Sequence, residues 1–393
     1  MKWQTIDNQI VRKHTIKEIL SAHWHKFVWE MEAKGKAIRK VIKEEVSKII
    51  NCQSLDNGFG LYECPTCRQI KIVPFTCKSR FCNTCGAKYS KDRALAMSAK
   101  LLSCPHRHVV FTIPEELRPY FARDRTLLNL LFAAAADTIT YCFARRNKAE
   151  AYTPGFISAL HTFGRDLKWN PHIHMILCTE AVGNSGRWKS FGHINYEGLR
   201  RSWQFCLLKM MAEKINTPAF KQLVDKLYAA HTNGFYVNAP PVKNFNAGAI
   251  NYIVRYAGRP VLAQSRIAAY DGESVTFTYT PHGSDEPVSE TVPVFEFIKK
   301  LIIHIPDRGF KMIRHYGFYA CSHAKHALYK LREKRICPST LENMRNIYKS
   351  WRKRIGHFFR HDPLKCACGS IFILVEIYSS QRKIWNYLRW NAP

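Results

Sequence analysis

Apolar residues recur at helical spacing through the first fifty positions and run together in short stretches through the middle, and a basic tail follows. Residues 8–50 carry Ile16, Ile19 and Leu20, then Phe27 and Val28, then Ile38, Val41, Ile42 and Val46. A recurrence of three and four residues predicts helix with one apolar face. Residues 52–86 break the pattern with cysteines and turn formers. A strand is predicted over residues 106–114, ending at Pro114, and helix over 115–147. The apolar run 155–163 passes through a polar turn, residues 164–170, into a second apolar run, which is a hairpin signal. Residues 196–229 read as helix, 235–237 as a short strand, and 247–257 as a helix stopped by Gly258-Arg259-Pro260. Residues 265–269 and 274–279 read as strands split by Asp271-Gly272, and 294–303 as helix. A loop, 304–310, leads into 312–320, and the tail after Lys330 reads as basic and helical over 349–360. The predicted fold class is α+β, an antiparallel sheet with flanking helices.

The second strand of the predicted hairpin contains Pro171-His172-Ile173-His174. Side chains on a strand alternate faces, so His172 and His174 point one way and Ile173 points into the core. Two imidazoles side by side on a strand can ligate a divalent metal, although such pairs are commonly just satisfied core residues. Tyr252 and Tyr256, four apart on the predicted helix, share one face, which by itself is an ordinary packing pattern. Charge changes the weighing. Lys plus Arg is 60 against 30 for Asp plus Glu, and the pI is about 9.7, which implies a polyanionic partner, most often nucleic acid. Together these features suggest a nuclease that attacks DNA with tyrosine. A metal polarises the phosphate, and a side-chain oxygen forms the covalent intermediate. With two tyrosines, one can hold a DNA end while the other makes a second cut. The blander reading is a ribosome-associated or merely basic protein.

The 14 cysteines lie in a large basic chain whose N-terminus lacks the apolar core of a signal peptide, so metal binding and free thiols fit better than disulfides. Cys64-Pro-Thr-Cys67 and Cys82-Asn-Thr-Cys85, separated by fourteen residues, have the spacing of a four-cysteine zinc ribbon. Gly86 follows as a tight knuckle turn favours. Cys52 and Cys77 are extra and could support a second metal or swap into the first site; for Cys52 packing is the favoured reading, and Cys77 stays open. Cys366 and Cys368 form a weaker C-x-C that Cys321 or Cys337 would have to complete. Lys78, Arg80, Lys88, Lys91 and Arg93 give the ribbon a basic surface, and Lys78, Arg80, Arg255 and Arg314 are candidate DNA contacts. Arg314, His315 and Tyr316 either contact DNA or buttress the core. No apolar run approaches the roughly 18 residues of a membrane-spanning helix, so a cytoplasmic protein is expected.

Several blocks taken together carry a resemblance. They are the cysteine block 64–85, the strand His108-Val-Val-Phe-Thr-Ile-Pro114, Leu160-His161-Thr-Phe-Gly164 and Asn170-Pro-His-Ile-His174. They continue with Tyr252-Ile-Val-Arg-Tyr256, His304-Ile-Pro-Asp-Arg-Gly-Phe310 and Ile313-Arg-His-Tyr-Gly317. The chain resembles the two-tyrosine rolling-circle transposases of bacterial insertion sequences, members of the HUH (His-hydrophobic-His) endonuclease superfamily. It departs from them at Asn170, where relatives often carry a further histidine. The resemblance implies an HUH-type sheet with the His-x-His strand at its centre and the tyrosine helix beside it. It implies that single-stranded transposon ends are bound and nicked, leaving a 5′-phosphotyrosine and a free 3′-hydroxyl. Tyr252 and Tyr256 are then the nucleophiles. His172 and His174 bind Mg²⁺ or Mn²⁺, with His161 as third ligand and Asn251 as its alternative. Cys64, Cys67, Cys82 and Cys85 hold a structural Zn²⁺ that serves DNA binding.

The expected organisation is a helical module over 1–50, the zinc ribbon over 51–100, the nuclease domain over 101–330 and a basic C-terminal region over 331–393. Without a Gly-x-x-x-x-Gly-Lys-[Ser/Thr] motif the chain would borrow a host helicase and replication proteins, and it would associate with the nucleoid. Two other readings stay open. One is a plasmid replication initiator or relaxase with the same chemistry, and the other is a non-catalytic zinc-ribbon DNA-binding protein.

Overall fold

The computed structural model describes residues 4–6, 9–11, 14–145, 148–240, 261–281, 283–320, 327–336, 338–379 and 382–386. The expected helix with Tyr252, Arg255 and Tyr256 lies outside the described residues, as do Asn251, Cys321 and Cys337. In chain order come β1 (Gln4–Ile6), β2 (Gln9–Val11), α1 (Ile16–Ala33), α2 (Lys40–Ile50), β3 (Phe59–Glu63), β4 (Ile70–Pro74), α3 (Asn83–Ser98) and β5 (His106–Phe111). They continue with α4 (Arg118–Arg123), α5 (Leu128–Ala144), β6 (Thr153–Phe163), β7 (Trp169–Val182), β8 (Trp188–Ser190), α6 (Tyr196–Ile215), α7 (Pro218–Ala230) and β9 (Val237–Asn238). Strands β10 (Ile267–Tyr270), β11 (Ser274–Tyr279), β12 (Val288–Pro293), β13 (Ile313–Gly317), β14 (Ile373–Ser379) and β15 (Arg382–Asn386) follow, with helices at Val294–Ile302, Ala327–Glu333, Pro338–Tyr348 and Trp351–Phe359.

Two compact units emerge, and neither is continuous in sequence. Residues 1–91, 260–305 and 342–393 form one, and residues 92–259 and 306–341 form the other. Their boundaries differ from the segments 1–50, 51–100, 101–330 and 331–393 expected from the sequence. The cause is strand pairing. β14, from the tail, pairs antiparallel with β3, giving a sheet ordered β15-β14-β3-β4 that joins residues 59–74 to residues 373–386. A tail expected to be helical thus ends in two strands.

The first unit begins with a two-stranded ribbon and the α1–α2 pair. The Thr15 hydroxyl caps α1 by accepting from the Glu18 amide at 3.0 Å. Ile16, Ile19, Leu20, Trp24 and Phe27 form its buried stripe. The sheet β10-β11-β12 leads into helix Val294–Ile302, whose Phe297 packs on Phe277 at 6.1 Å and whose Phe295 meets Phe27 edge-on at 5.5 Å.

The second unit is a six-stranded antiparallel sheet ordered β13-β6-β7-β5-β9, with β8 on β7. Its architecture is α+β, as expected, and β6 and β7 form the expected hairpin. One sheet face packs against α5 and α6 through Phe111, Phe156, Leu160, Ile173, Met175 and Leu177, with Trp203 and Phe132 from the helices. Helix expected without interruption over 115–147 breaks at Asp124, whose extended backbone and side-chain bond to the Thr126 amide separate α4 from α5. A similar break at left-handed Asn216, followed by the Thr217 cap and Pro218, divides α6 from α7.

One expectation about apolar runs needs correction. Residues Arg125–Ala144 make a helical stretch long and apolar enough to cross a membrane by length and composition. In the fold, α5 is the core helix of the second unit, with Leu128, Leu131, Phe132, Ala135 and Ile139 buried against the sheet and α6. Core burial accounts for its apolar character.

Candidate metal centres

The register of the central sheet assembles one candidate centre. Partners directly opposite one another share a face, and β7 pairs His172 with His161 of β6 and His174 with Ala159 of β6 and Val110 of β5. His108 of β5 is opposite Ile176, two residues along the same face of β7. The period of two therefore sends His108, His161, His172 and His174 to one side, while Ile173 and Met175 enter the core on the other. His161, His172 and His174 each place a ring nitrogen within 4.8 Å of the others. The His161 ring centre is 4.3 Å from that of His174 and 5.6 Å from that of His172.

Hydrogen bonds set the tautomers. His172 Nδ1 lies 2.7 Å from the Asn170 carbonyl oxygen and donates to it, which leaves the lone pair on Nε2. His174 Nδ1 lies 2.9 Å from His108 Nε2, so a proton on His174 Nδ1 is accepted by His108 and the Nε2 lone pair faces inward. The two ε nitrogens are 3.0 Å apart. This matches the edge, about 3.0 Å, of an octahedral shell with bonds of about 2.1 Å. Burial pushes the His172 pKa down, and burial followed by the neighbouring His172 pushes His108 down to about 4. Those two imidazoles are neutral at pH 7, the form that ligates. His108 is the residue that sequence reasoning passed over. Its signal is strand parity, since it lies two residues from Val110, the partner of His174.

A neighbouring group, Cys104, His106 and Cys178, is also close enough to hold an ion. Its chemistry argues otherwise. His106 Nδ1 donates to the Cys104 carbonyl at 2.8 Å, and its Nε2 accepts from the Tyr319 hydroxyl at 2.7 Å. Both ring nitrogens are used within the core, and burial pushes the His106 pKa down to about 4.

In the first unit the cysteines are regrouped relative to expectation. Cys64, Cys67, Cys82 and Cys85 do not surround one point. Cys82 and Cys85 gather with Cys52 and Cys77, while Cys64 and Cys67 gather with Cys366 and Cys368. The pairing of β14 with β3 brings the tail to the Cys64–Cys67 turn, and the β3–β4 hairpin separates that turn from α3, which carries Cys82-Asn-Thr-Cys85 at its start. In the first quartet the Cys52–Cys85, Cys77–Cys85 and Cys82–Cys52 sulfurs are 3.7, 3.6 and 3.7 Å apart. A tetrahedral Zn²⁺ with Zn–S bonds of about 2.3 Å has sulfur–sulfur edges of about 3.8 Å. Hydrogen bonds from Cys77 and then Cys82 hold the Cys85 thiol down at about 2 and favour its thiolate. Gly86 is required by close approach, since a Cβ there would sit 2.5 Å from the Arg80 carbonyl oxygen.

The basic candidates divide as well. Lys78 is exposed beside Cys77. Arg80 is partly covered over the Phe81 ring at 5.2 Å, and burial lowers its pKa. Arg314 is committed to packing. Its guanidinium lies 4.2 Å from the Phe132 ring centre and 5.6 Å from that of Phe310, and it hydrogen-bonds the Asn129 side chain. Tyr316 stacks on Phe156 at 4.9 Å. Arg314 and Tyr316 therefore buttress the core.

Comparison with known proteins finds matches over two regions of the chain. A family model described as "Transposase zinc-binding domain" matches residues 19–113, and one described as "Putative transposase" matches residues 155–327. The transposase for insertion sequence element IS801 of Pseudomonas savastanoi pv. phaseolicola is 30% identical over 297 residues, covering 72% of this chain and 71% of that protein. "Putative transposase y4qJ" of Sinorhizobium fredii (strain NBRC 101917 / NGR234) is 26% identical over 360 residues, covering 83% of this chain and 87% of that protein. No solved structure matches. The class defined by these matches and by the cysteine clusters is a DNA-acting protein with structural zinc. The chain belongs to the IS91 family of insertion-sequence transposases, with an N-terminal transposase zinc-binding domain.

Proposed function

We propose that this transposase nicks and joins single-stranded ends of its element through a 5′-phosphotyrosine intermediate, in rolling-circle-type transposition. The observation that carries the reading is the convergence of His161, His172 and His174 on one face of the central sheet, with His108 behind His174. Mg²⁺ or Mn²⁺ is the ion of choice, because phosphate oxygens of the DNA must complete the shell. Such an ion would polarise the scissile phosphate and draw off developing charge.

The side chains do the rest. Tyr252 or Tyr256 attacks phosphorus through its phenolic oxygen, the bond from phosphorus to the 3′ oxygen breaks, and a tyrosine ester of the 5′-phosphate forms. The phenol gives up a proton and the departing 3′ oxygen takes one up, leaving a free 3′-hydroxyl. A second tyrosine allows a second strand to be cut while the first end is held. The ester conserves the energy of the broken bond, so joining needs no external source. His108 and the Asn170 carbonyl keep the imidazoles in their ligating orientation. Lys78 and Arg80 would bring the zinc-binding domain to DNA, and unwinding would fall to a host helicase and replication proteins in the nucleoid.

The test is covalent trapping. Labelled single-stranded oligonucleotides carrying the element's ends are incubated with protein and Mn²⁺ and resolved on a denaturing gel. The wild type should give an SDS-resistant adduct that is absent from the Tyr252→Phe/Tyr256→Phe double variant and from His172→Ala. Bound cognate DNA without adduct or cleavage in the wild type would reject the reading.

A further inference from the structure

We propose that the chain holds two structural zinc ions, and that the second is a clasp made by Cys64 and Cys67 together with the C-terminal Cys366 and Cys368. The matched zinc-binding domain ends at residue 113 and the matched transposase region ends at residue 327, so Cys366 and Cys368 lie beyond both. The first quartet, Cys52, Cys77, Cys82 and Cys85, is complete within the zinc-binding domain. Cys64 and Cys67 supply only half a site.

The geometry of the second quartet also suits zinc. The Cys64–Cys368 and Cys67–Cys366 sulfurs are each 3.5 Å apart, near the edge of about 3.8 Å for a tetrahedral zinc thiolate site. Each half is a knuckle with its own turn. In the first half the Cys64 amide donates to the Gln69 carbonyl at 2.9 Å, the Arg68 amide donates to the Cys64 carbonyl at 2.9 Å, and Arg68 takes a left-handed φ of 60°. In the second the Cys366 amide donates to the Ser370 carbonyl at 2.8 Å, the Gly369 amide donates to the Cys366 carbonyl at 3.0 Å, and Gly369 has a φ of 94°. Both knuckles occupy turns of antiparallel pairs, β3–β4 on one side and the Lys365–Ile371 bridge on the other.

Contacts outside the sulfurs hold the knuckles face to face. The Thr66 and Ser370 hydroxyls share a hydrogen bond of 2.6 Å. Lys71 donates to the Pro363 carbonyl at 2.7 Å and lies 5.5 Å from the Phe372 ring centre. Cys64, Cys366 and Phe372 form a small buried cluster. An apolar core of that size is weak for joining segments some three hundred residues apart, and a metal supplies what it lacks. Four thiolates leave no open coordination position, so the clasp is structural. Its role is to lock β14 onto β3 and so to make the C-terminal strands part of the zinc-binding module.

The experiment counts metal in the full-length protein. After reconstitution with excess Zn²⁺ under reducing conditions and removal of loose metal, native mass spectrometry of protein carrying His161→Ala/His172→Ala/His174→Ala, so that only cysteine-bound metal is counted, should show two zinc ions per chain; the cysteine variants are made in this background. Cys366→Ser/Cys368→Ser should retain one, and Cys82→Ser/Cys85→Ser should also retain one. Alkylation mapped by peptide mass spectrometry on the wild type needs no variant to fold. Cys366 and Cys368 should be protected together with Cys64 and Cys67 and become reactive when a chelator is added. One zinc in the reconstituted His161→Ala/His172→Ala/His174→Ala protein, two when Cys366→Ser/Cys368→Ser is added to it, or alkylation of Cys366 and Cys368 in the zinc-loaded wild type would each overturn the proposal.

Discussion

Acid should destabilise the second unit through His106, by an amount that the core around it sets. His106 is 5% exposed, and burial lowers its pKa from 6.5 to about 4, against the opposing effect of its bond to the Cys104 carbonyl. Because the folded pKa is the lower one, the unfolded chain takes up the proton first. The contribution of His106 to stability is therefore complete above pH 6.5 and is lost as pH falls toward 4. A separation of 2.5 pH units corresponds to about 3 kcal/mol in all, and to about 2 kcal/mol between pH 7 and pH 5. Hydrogen-exchange mass spectrometry of peptides spanning β5 and β13 reads the opening free energy at both values. The wild type should lose about 2 kcal/mol more than His106→Gln over that interval. Comparing the two pH responses, rather than absolute stabilities, removes any constant cost of the substitution. Equal responses would refute a buried, neutral His106 with both ring nitrogens engaged.

Other perturbations separate positioning, backbone and packing roles. His108→Ala should leave the fold intact and weaken Mn²⁺ binding by roughly 10–100-fold in calorimetric titration, because His174 loses the partner that orients it. Gly317→Ala should cost about 4 kcal/mol or more, read as loss of soluble protein or a large fall in melting temperature. Gly317 has a φ of 57°, and a Cβ there would sit 1.6 Å from the Pro154 carbonyl oxygen. Arg314→Ala should lower stability by about 1–2 kcal/mol through loss of the Phe132 and Asn129 contacts, without changing the salt dependence of DNA binding. A reduced salt slope would place Arg314 at the DNA instead.

The histidine centre was largely legible because strand parity is local information. The alternation that sends His172 and His174 to one face needs only a strand, and the hairpin turn over 164–170 is enough to suggest His161 as their neighbour. His108 was harder, since its approach to His174 depends on β5 joining the far edge of β7, and nothing in the local pattern of 106–114 encodes that register. The cysteines misled for a related reason. The two C-x-x-C pairs have the spacing of one ribbon, yet the quartets are set by the pairing of β3 with β14 from the distant tail. A count of pairs holds a partial signal, because Cys52, Cys77 and the C-x-C together supply the four ligands that a second site needs. The tail strands were missed because residues 373–379 follow a basic helical stretch and show little period-two contrast, with all but the first residue of β14 partly buried.

On the proposed function, His161, His172 and His174 together hold the divalent ion that serves tyrosine attack. Pulsed electron paramagnetic resonance of Mn²⁺ bound to the full-length protein, with and without ¹⁵N-labelled histidine, tests it most directly. Three histidine nitrogens should couple to the bound ion, and the coupling should vanish in the His161→Ala/His172→Ala/His174→Ala variant. Mn²⁺ bound through oxygen alone, or bound equally well by that variant, would rule out a histidine-held catalytic ion.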